Sequence, residues 1–355
     1  MAWTDVAEEV SVVTRVRHAH ENREDNLANW IGVALPKWSS LRIVPEQVRF
    51  LLWQQRAWKI SLDLASGLDD ETVIHLVTYA NDWLVFPPPL RGDLGKRARI
   101  WLGPVGGFTT VPDELIKLLP LTHRLKLRLK SKVVGLLRKL VSACVDEVDL
   151  VLSQNEYVGL SIPSKRLIVE PNPALQPRAG VCGVPECPAV DIQPGSIVGS
   201  GRLAAGKAWQ LAVKAVAALP DRQLVLVGDG PTRRELIEVA KSEGVDLQLR
   251  ITGWIDRRHI PCVFEKASVV IHPSLHEGAS WAVAEAINSK RPVVGFDIAG
   301  VGTLLRLAGT VPTPLQGDLI ANLAASIVGA RPPLYPDRFS ADRIPLLYAE
   351  WLKRG

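Results

Sequence analysis

The sequence predicts an α/β chain whose parallel sheets are covered by helices on both faces, divided into two domains. Two observations carry this. From residue 196 onward short apolar runs alternate with helical composition: 196–198, 224–227, 249–252, 269–271 and 293–295 read as strands, with helices from Trp209 and after Pro231 between the first of them. Before that, residues 174–195 (ALQPRAGVCGVPECPAVDIQPG) gather Pro, Gly and Cys with little periodicity and read as an interdomain linker.

Composition bounds the rest. A chain of 355 residues is long enough for two cores, and 47% hydrophobic with 22% charged residues excludes a disordered chain. The net charge of +5 favours anionic partners such as nucleotides or acidic lipid. The four cysteines, Cys144, Cys182, Cys187 and Cys262, show no CxxC spacing and no companion histidine cluster, so no metal site is expected and a reducing cytoplasm fits. No apolar run reaches membrane-spanning length, and MAWTDVAEEV carries acids where a signal peptide carries a basic and then an apolar region. The expectation is a protein that is soluble in the cytoplasm or lies on a membrane surface.

In the first half, residues 10–16 (VSVVTRV) read as a strand and 46–62 as a helix whose face holds Val48, Leu51, Leu52, Trp58 and Ile60. Residues 72–79 (TVIHLVTY) form a strand that delivers His75 near its end. Another strand, 99–102, leads into Gly103-Pro104-Val105-Gly106-Gly107, read as a turn where Gly106 and Gly107 let backbone N–H groups approach a phosphate or sugar. Residues 115–145 contain no acid and carry Lys117, Arg124, Lys126, Arg128, Lys130, Lys132, Arg138 and Lys139. This stretch reads as a helix that either docks on anionic lipid or presents a solvated basic face. Strands at 148–152 and 166–169 follow, and 339–351 has helical spacing.

The stretch that organises the second half is 268–286, SVVIHPSLHEGASWAVAEA. A β-branched run ends at Pro273, a helix begins near Ser280, and Leu275-His276-Glu277-Gly278-Ala279-Ser280 must turn between them. Such a turn offers helix N-terminal N–H groups to an anion. Glu277 sits on the turn and Glu285 about two helical turns further, roughly 12 Å along the axis. His272 and His276 flank the turn, in a core, supporting or contact role. Arg202 and Lys207, in RLAAGK, are two cations spaced to clamp a diphosphate. Gly228 and Gly253 also follow strands, so with Arg202 and Glu277 they should converge on one sheet edge.

HPSLHEGAS with AEAINSKRPVVGFDIAGV, the Arg202–Lys207 pair, and WLGPVGGF preceded by VTYANDW resemble retaining family-4 glycosyltransferases of the GT-B fold (glycosyl transferases group 1). The resemblance implies two Rossmann-like domains with a cleft between them: 1–175 on the acceptor side, a linker 176–195, a nucleotide-sugar domain 196–335, and a helix 336–355 returning to the first domain. It implies transfer of a hexose from a UDP-sugar or GDP-sugar to a hydroxyl of a glycan or lipid-linked acceptor. No cofactor, no metal and no nucleic acid would take part. Glu277 would lie by the sugar, Glu285 on the ribose, and Arg202 and Lys207 on the leaving diphosphate. Gly228, Gly253, Gly278, Ala279, Ser280, Gly106 and Gly107 would line the donor. His75 would meet the sugar or help the acceptor, unless it simply ends a strand.

The family's opening strand and Gly-rich loop have no counterpart before VSVVTRV, so the expectation is a first domain lacking its first strand and less stable than the second. Two other readings stay open: a sugar-nucleotide epimerase of the same fold, and a non-catalytic nucleotide-binding protein of the membrane surface.

Overall fold

A computed structural model of the chain describes residues 7–15, 28–35, 46–66, 72–77, 98–106, 111–117, 148–157, 166–171, 192–275 and 277–354, together with residues 19, 21, 121, 124, 125, 128, 129, 131, 132, 173, 175 and 190. Gly107, His276, and most of 115–145 and of the linker lie outside the described residues.

The chain forms two compact units. The unit that holds most of the second half carries β7 (Ile197–Ser200), α2 (Trp209–Ala217), β8 (Leu224–Val227), α3 (Arg233–Ser242), β9 (Leu249–Gly253), α4 (Ile260–Lys266), β10 (Val269–Ile271), α5 (Trp281–Asn288), β11 (Val293–Val294), α6 (Ala299–Leu307) and α7 (Leu319–Gly329). Its five strands are all parallel, in the order β11-β10-β7-β8-β9. Every residue of β7, β8 and β10 is buried, as a strand covered on both faces requires. Val198, Val225, Val270, Phe264, Ile287 and Leu304 share one core; full burial of a side chain of this size contributes about 1.5–3 kcal/mol. Successive strands run outward from β7 through β8 to β9, then return to the other side of β7 for β10 and β11. The sheet therefore reverses its winding between β7 and β10, and the loops that leave their carboxyl ends flank a crevice.

The other unit carries β1 (Ser11–Arg15), β2 (Asn29–Val33), α1 (Glu46–Ala65), β3 (Val73–Leu76), β4 (Arg99–Val105), β5 (Leu150–Ser153), β6 (Leu167–Val169) and α8 (Ile344–Arg354). β3-β4-β5-β6 form one parallel sheet and β1 with β2 a separate parallel pair. Trp351 of α8 packs on Trp101, Leu150 and Leu152, and the Arg99 guanidinium donates to the Leu352 carbonyl at 3.0 Å. Phe50, Trp53 and Ala57 of α1 pack on Val33.

Three features depart from the sequence reading. Asn29–Val33 is a strand, although NWIGV was not read as one. Gly103-Pro104-Val105 is not a turn but the end of β4, whose register against β5 shifts between Leu102 and Val105. Gly103 has φ +128°, and a Cβ there would lie 2.2 Å from the Leu152 carbonyl oxygen, so this glycine serves strand approach and not a ligand. Third, Cys262, buried on α4, is disulfide-bonded, a pairing that the cysteine spacing did not indicate. Among the described residues no helix is long and apolar enough to cross a membrane.

Candidate functional site

The loop after β7 begins at Gly201, passes Arg202, and ends in a 3-10 turn, Ala205–Lys207, before α2. The loop after β10 runs from His272 to Ser280, where α5 starts. Because β7 and β10 are neighbours, these loops meet. The Leu275 N–H donates to the Gly206 carbonyl at 3.0 Å, and the Ser274 hydroxyl lies 3.2 Å from the same oxygen. Seventy residues of sequence separate Lys207 from Glu277, yet their ammonium and carboxylate form a direct ion pair.

Glu277 is held from several sides. Its Oε1 meets the Lys207 ammonium, the Ser274 hydroxyl at 3.2 Å and His272 Nε2 at 3.3 Å. Its backbone carbonyl accepts from the Gly300 N–H at 3.0 Å, which seats α6 under the loop. Burial pulls the Lys207 ammonium from the ordinary 10.5 to about 8; the adjoining carboxylate works against that shift and favours the charged form. His272 is fully buried, and burial together with the Lys207 charge brings it down to about 3, so its ring is neutral at neutral pH.

Glu285 lies on α5 five residues beyond the capping Ser280. Its Oε1 pairs with Arg257 at 3.1 Å, and the Arg257 guanidinium sits 5.4 Å from the Trp281 ring centre. Arg257 enters on a 3-10 turn capped by Asp256, whose carboxylate accepts from the Arg258 N–H. Gly201, Gly228, Trp254, Arg257, Trp281 and Glu285 line a cavity of about 420 Å³. The loops after β7 and β8 touch backbone to backbone here: Gly228 has φ +141°, and a Cβ would meet the Gly201 carbonyl oxygen at 2.1 Å. The Gly228 N–H donates to the Gly253 carbonyl at 2.9 Å, which places Gly253 at the same rim.

The remaining candidates fall as follows. Arg202 is exposed, with its carbonyl accepting from Trp209 Nε1 at 3.1 Å. Gly278 and Ala279 are partly exposed on the turn. The Ser280 hydroxyl faces inward, accepting from the Val283 N–H at 3.4 Å and lying 3.1 Å from His272 Nε2. What this turn can offer a ligand is therefore backbone, not that hydroxyl. His75 and Gly106 belong to the other unit. The His75 ring lies 5.9 Å from Trp101 and 5.8 Å from Tyr348, and burial lowers it to about 4. A Cβ on Gly106 would meet the Gln154 side chain at 2.9 Å. Sequence reasoning gave no role to Trp254, Arg257 or Trp281; a Trp directly after a strand-ending Gly was the available signal.

Residues 194–328 match the family described as glycosyl transferases group 1. The chain is 28% identical over 157 residues to the alpha-D-kanosaminyltransferase of Streptomyces kanamyceticus, covering 42% of this chain and 40% of that protein. It is 33% identical over 140 residues to the 2-deoxystreptamine glucosyltransferase of the same organism, covering 38% and 35%. The chain thus aligns with about two-fifths of the length of these relatives. Among solved structures, the sucrose-phosphate synthase of Thermosynechococcus elongatus superposes with TM-score 0.61 at 17% identity, over 92% of this chain and 83% of that one. HepE of Anabaena, solved with UDP, gives 0.55 at 14%, over 98% and 100%. Residues 194–328, built around the loops of β7 and β10, thus resemble the glycosyl transferases group 1 family, in a chain whose fold is that of GT-B proteins.

Proposed function

We propose that the protein is a retaining, metal-independent glycosyltransferase that moves a hexose from a nucleotide-diphosphate sugar to a hydroxyl of a glycan or lipid-linked acceptor. The observation that carries the reading is the Lys207–Glu277 pair at the reversal of the sheet, next to the cavity that ends at Glu285. In this reading the nucleoside occupies the cavity with its ribose on Glu285, and Trp254 and Trp281 supply apolar surface to the base. The diphosphate lies at the start of α5, along the Gly278-Ala279-Ser280 backbone. Lys207 and Arg202 neutralise it as it leaves, which is the charge stabilisation that a metal would otherwise supply. Glu277 lies by the sugar, and the acceptor attacks from the face the diphosphate leaves. For His75, set among aromatic rings, a packing role is the better supported one.

Two relatives are named as a 2-deoxystreptamine glucosyltransferase and a 2-deoxystreptamine N-acetyl-D-glucosaminyltransferase, so the acceptor screen should include 2-deoxystreptamine beside glycans and lipid extract. The test incubates UDP- and GDP-sugars with the chain and measures released UDP or GDP with and without acceptor. Release that rises with acceptor supports transfer. Free nucleotide diphosphate formed equally without acceptor points to the epimerase, and binding without release to the non-catalytic reading.

Docking on an anionic membrane surface, at the cytoplasmic face, is part of the proposal. Its support is the exposure of Leu121, Leu125 and Leu129, at 68%, 58% and 67%, and of Arg128 and Lys132, all of them helical. Replacing Arg124, Lys126, Arg128 and Lys130 by Ser is expected to weaken binding to anionic vesicles and leave nucleotide affinity unchanged. If the unaltered protein ignores such vesicles at low salt, the docking proposal fails.

A further inference from the structure

We infer that His272 is a positioning residue that locks the Glu277 carboxylate and the start of α5 into one unit. Its Nε2 stands 3.3 Å from Glu277 Oε1 and 3.1 Å from the Ser280 hydroxyl, the group that caps α5. One buried ring atom thus touches both the acid on the loop and the cap of the helix that bears the second acid, Glu285. Facing a carboxylate oxygen, Nε2 must carry the hydrogen, since a lone pair there would repel the anion. This tautomer follows from the surroundings of the ring.

The ring is itself held in place. Trp209 meets it edge to face, with centres 6.0 Å apart at 87°. That indole is wedged against β7, where a Cβ on Gly199 would come within 2.5 Å of it, and its Nε1 donates to the Arg202 carbonyl at 3.1 Å. The order of support therefore runs from β7 through Trp209 to His272 and on to Glu277, tying the Arg202 loop to the Glu277 loop. Ser274, Lys207 and His272 all converge on Oε1, which leaves Oε2 as the oxygen to turn toward a ligand. With the ring held neutral, as its low pKa requires, it does not serve as a proton donor or acceptor in turnover near neutral pH.

The kinetic arm of the test rests on the glycosyltransferase reading; the spectroscopic arm does not. His272→Leu removes the donor and is expected to lower kcat on the order of 100-fold, as small displacements of a reacting group do. UDP or GDP affinity is expected to fall far less than kcat, because Glu285 and the cavity that holds the nucleoside keep their contacts. His272→Gln, whose amide nitrogen can reach toward the same carboxylate, should recover most of the kcat, and Ser280→Ala should lower it modestly. A folded His272→Leu protein with unchanged kcat overturns the inference. So does a loss of nucleotide affinity in step with kcat that His272→Gln fails to mend. Independently of turnover, ¹⁵N spectra of the imidazole should show a neutral Nε2–H tautomer from mildly acidic to mildly alkaline pH, and its resonance should move in Glu277→Gln and in Ser280→Ala. A signal indifferent to both substitutions also overturns the inference. If instead the spectra behave as expected while no donor is turned over, the enzyme reading fails and the positioning of Glu277 stands.

Discussion

Glu277 and Glu285 lie eight residues apart on one loop and helix, and each carboxylate is paired with a cation, yet the two ends are built differently. At the first, both partners are inward: the Lys207 and Glu277 side chains are 28% and 16% exposed, and Ser274 and His272 add hydrogen bonds from below. At the second, Glu285 is 18% exposed but its partner Arg257 is 73% exposed and belongs to a short turn after β9. Fixed dipoles and charges stabilise developing charge best where water is excluded and nothing has to rearrange. An exposed ion pair contributes only about 0–1 kcal/mol and yields to solvent or ligand. On the function proposed above, the difference suits chemistry at the Glu277 end and recognition at the Glu285 end, and each of the following predictions can break that division.

The largest effect is expected at Lys207. Lys207→Ala should lower kcat on the order of 10²–10³-fold, the cost of removing one preorganised charge from a leaving group. Chelation with EDTA should leave turnover of the parent intact. If EDTA abolishes turnover and Mn²⁺ restores it, a metal carries the leaving-group charge and the Lys207 end loses its assigned task.

A pH profile sharpens the same point. Lys207 loses its proton near pH 8 in the folded chain against 10.5 ordinarily, because burial disfavours the ammonium. Turnover should fall about tenfold per pH unit above that value, as the leaving diphosphate loses its cation. The stability sign is opposite: between about pH 8 and 10.5 the unfolded chain holds more protons on this lysine, so its contribution to stability rises with pH through that window. Glu277→Gln removes the carboxylate that favours the ammonium, so the alkaline limb should move to lower pH. A limb that stays in place in Glu277→Gln would mean that another group titrates.

How much of this was legible in the sequence follows from what each feature depends on. Leu224–Val227 and Val269–Ile271 are short β-branched or Leu-rich runs closed by Gly or followed by Pro, and strand formation there is a local matter. Gly103-Pro104 carries the strongest turn signal in its neighbourhood and is nonetheless strand, because its neighbour across the sheet, Leu152, decides what fits. Asn29–Val33 follows a polar stretch and contains a Gly, so its pairing with Ser11–Arg15 outweighs its own composition. At the site, the residue types of RLAAGK and HEGAS were readable, but the meeting of Lys207 with Glu277 depends on β7 and β10 being neighbours in the sheet. The burial of His272 and the Arg257–Glu285 pair are likewise tertiary facts. No periodicity encodes them.

At the recognition end, Glu285→Gln should weaken UDP or GDP binding about tenfold, the value of a charge-assisted hydrogen bond exchanged for a neutral one. Because Glu277 is untouched, kcat at saturating donor should change little. A calorimetric titration beside steady-state kinetics separates the two. A Glu285→Gln protein whose kcat collapses while its nucleotide affinity holds would erase the division between the ends.

The smallest effect is expected for Arg257→Ala. Its guanidinium holds one oxygen of Glu285 at 3.1 Å and covers Trp281, so two modest terms are lost. An exposed ion pair contributes about 0–1 kcal/mol, and a cation–π contact at an exposed site about 0.5–1 kcal/mol. Against them, the deletion frees Glu285 for a ribose hydroxyl that would otherwise compete with Arg257 for the same carboxylate. The terms oppose, and the net change in nucleotide affinity should stay within about fivefold in either direction. Salt decides whether that account is right. At 1 M ionic strength the Debye length falls to about 3 Å, the exposed pair is screened, and the parent should approach the Arg257→Ala protein. A double-mutant cycle with Glu285→Gln should give a coupling below about 1 kcal/mol. If Arg257→Ala instead costs far more than that at every salt concentration, Arg257 is itself a nucleotide ligand, and the outer end of the site is as rigidly built as the inner one.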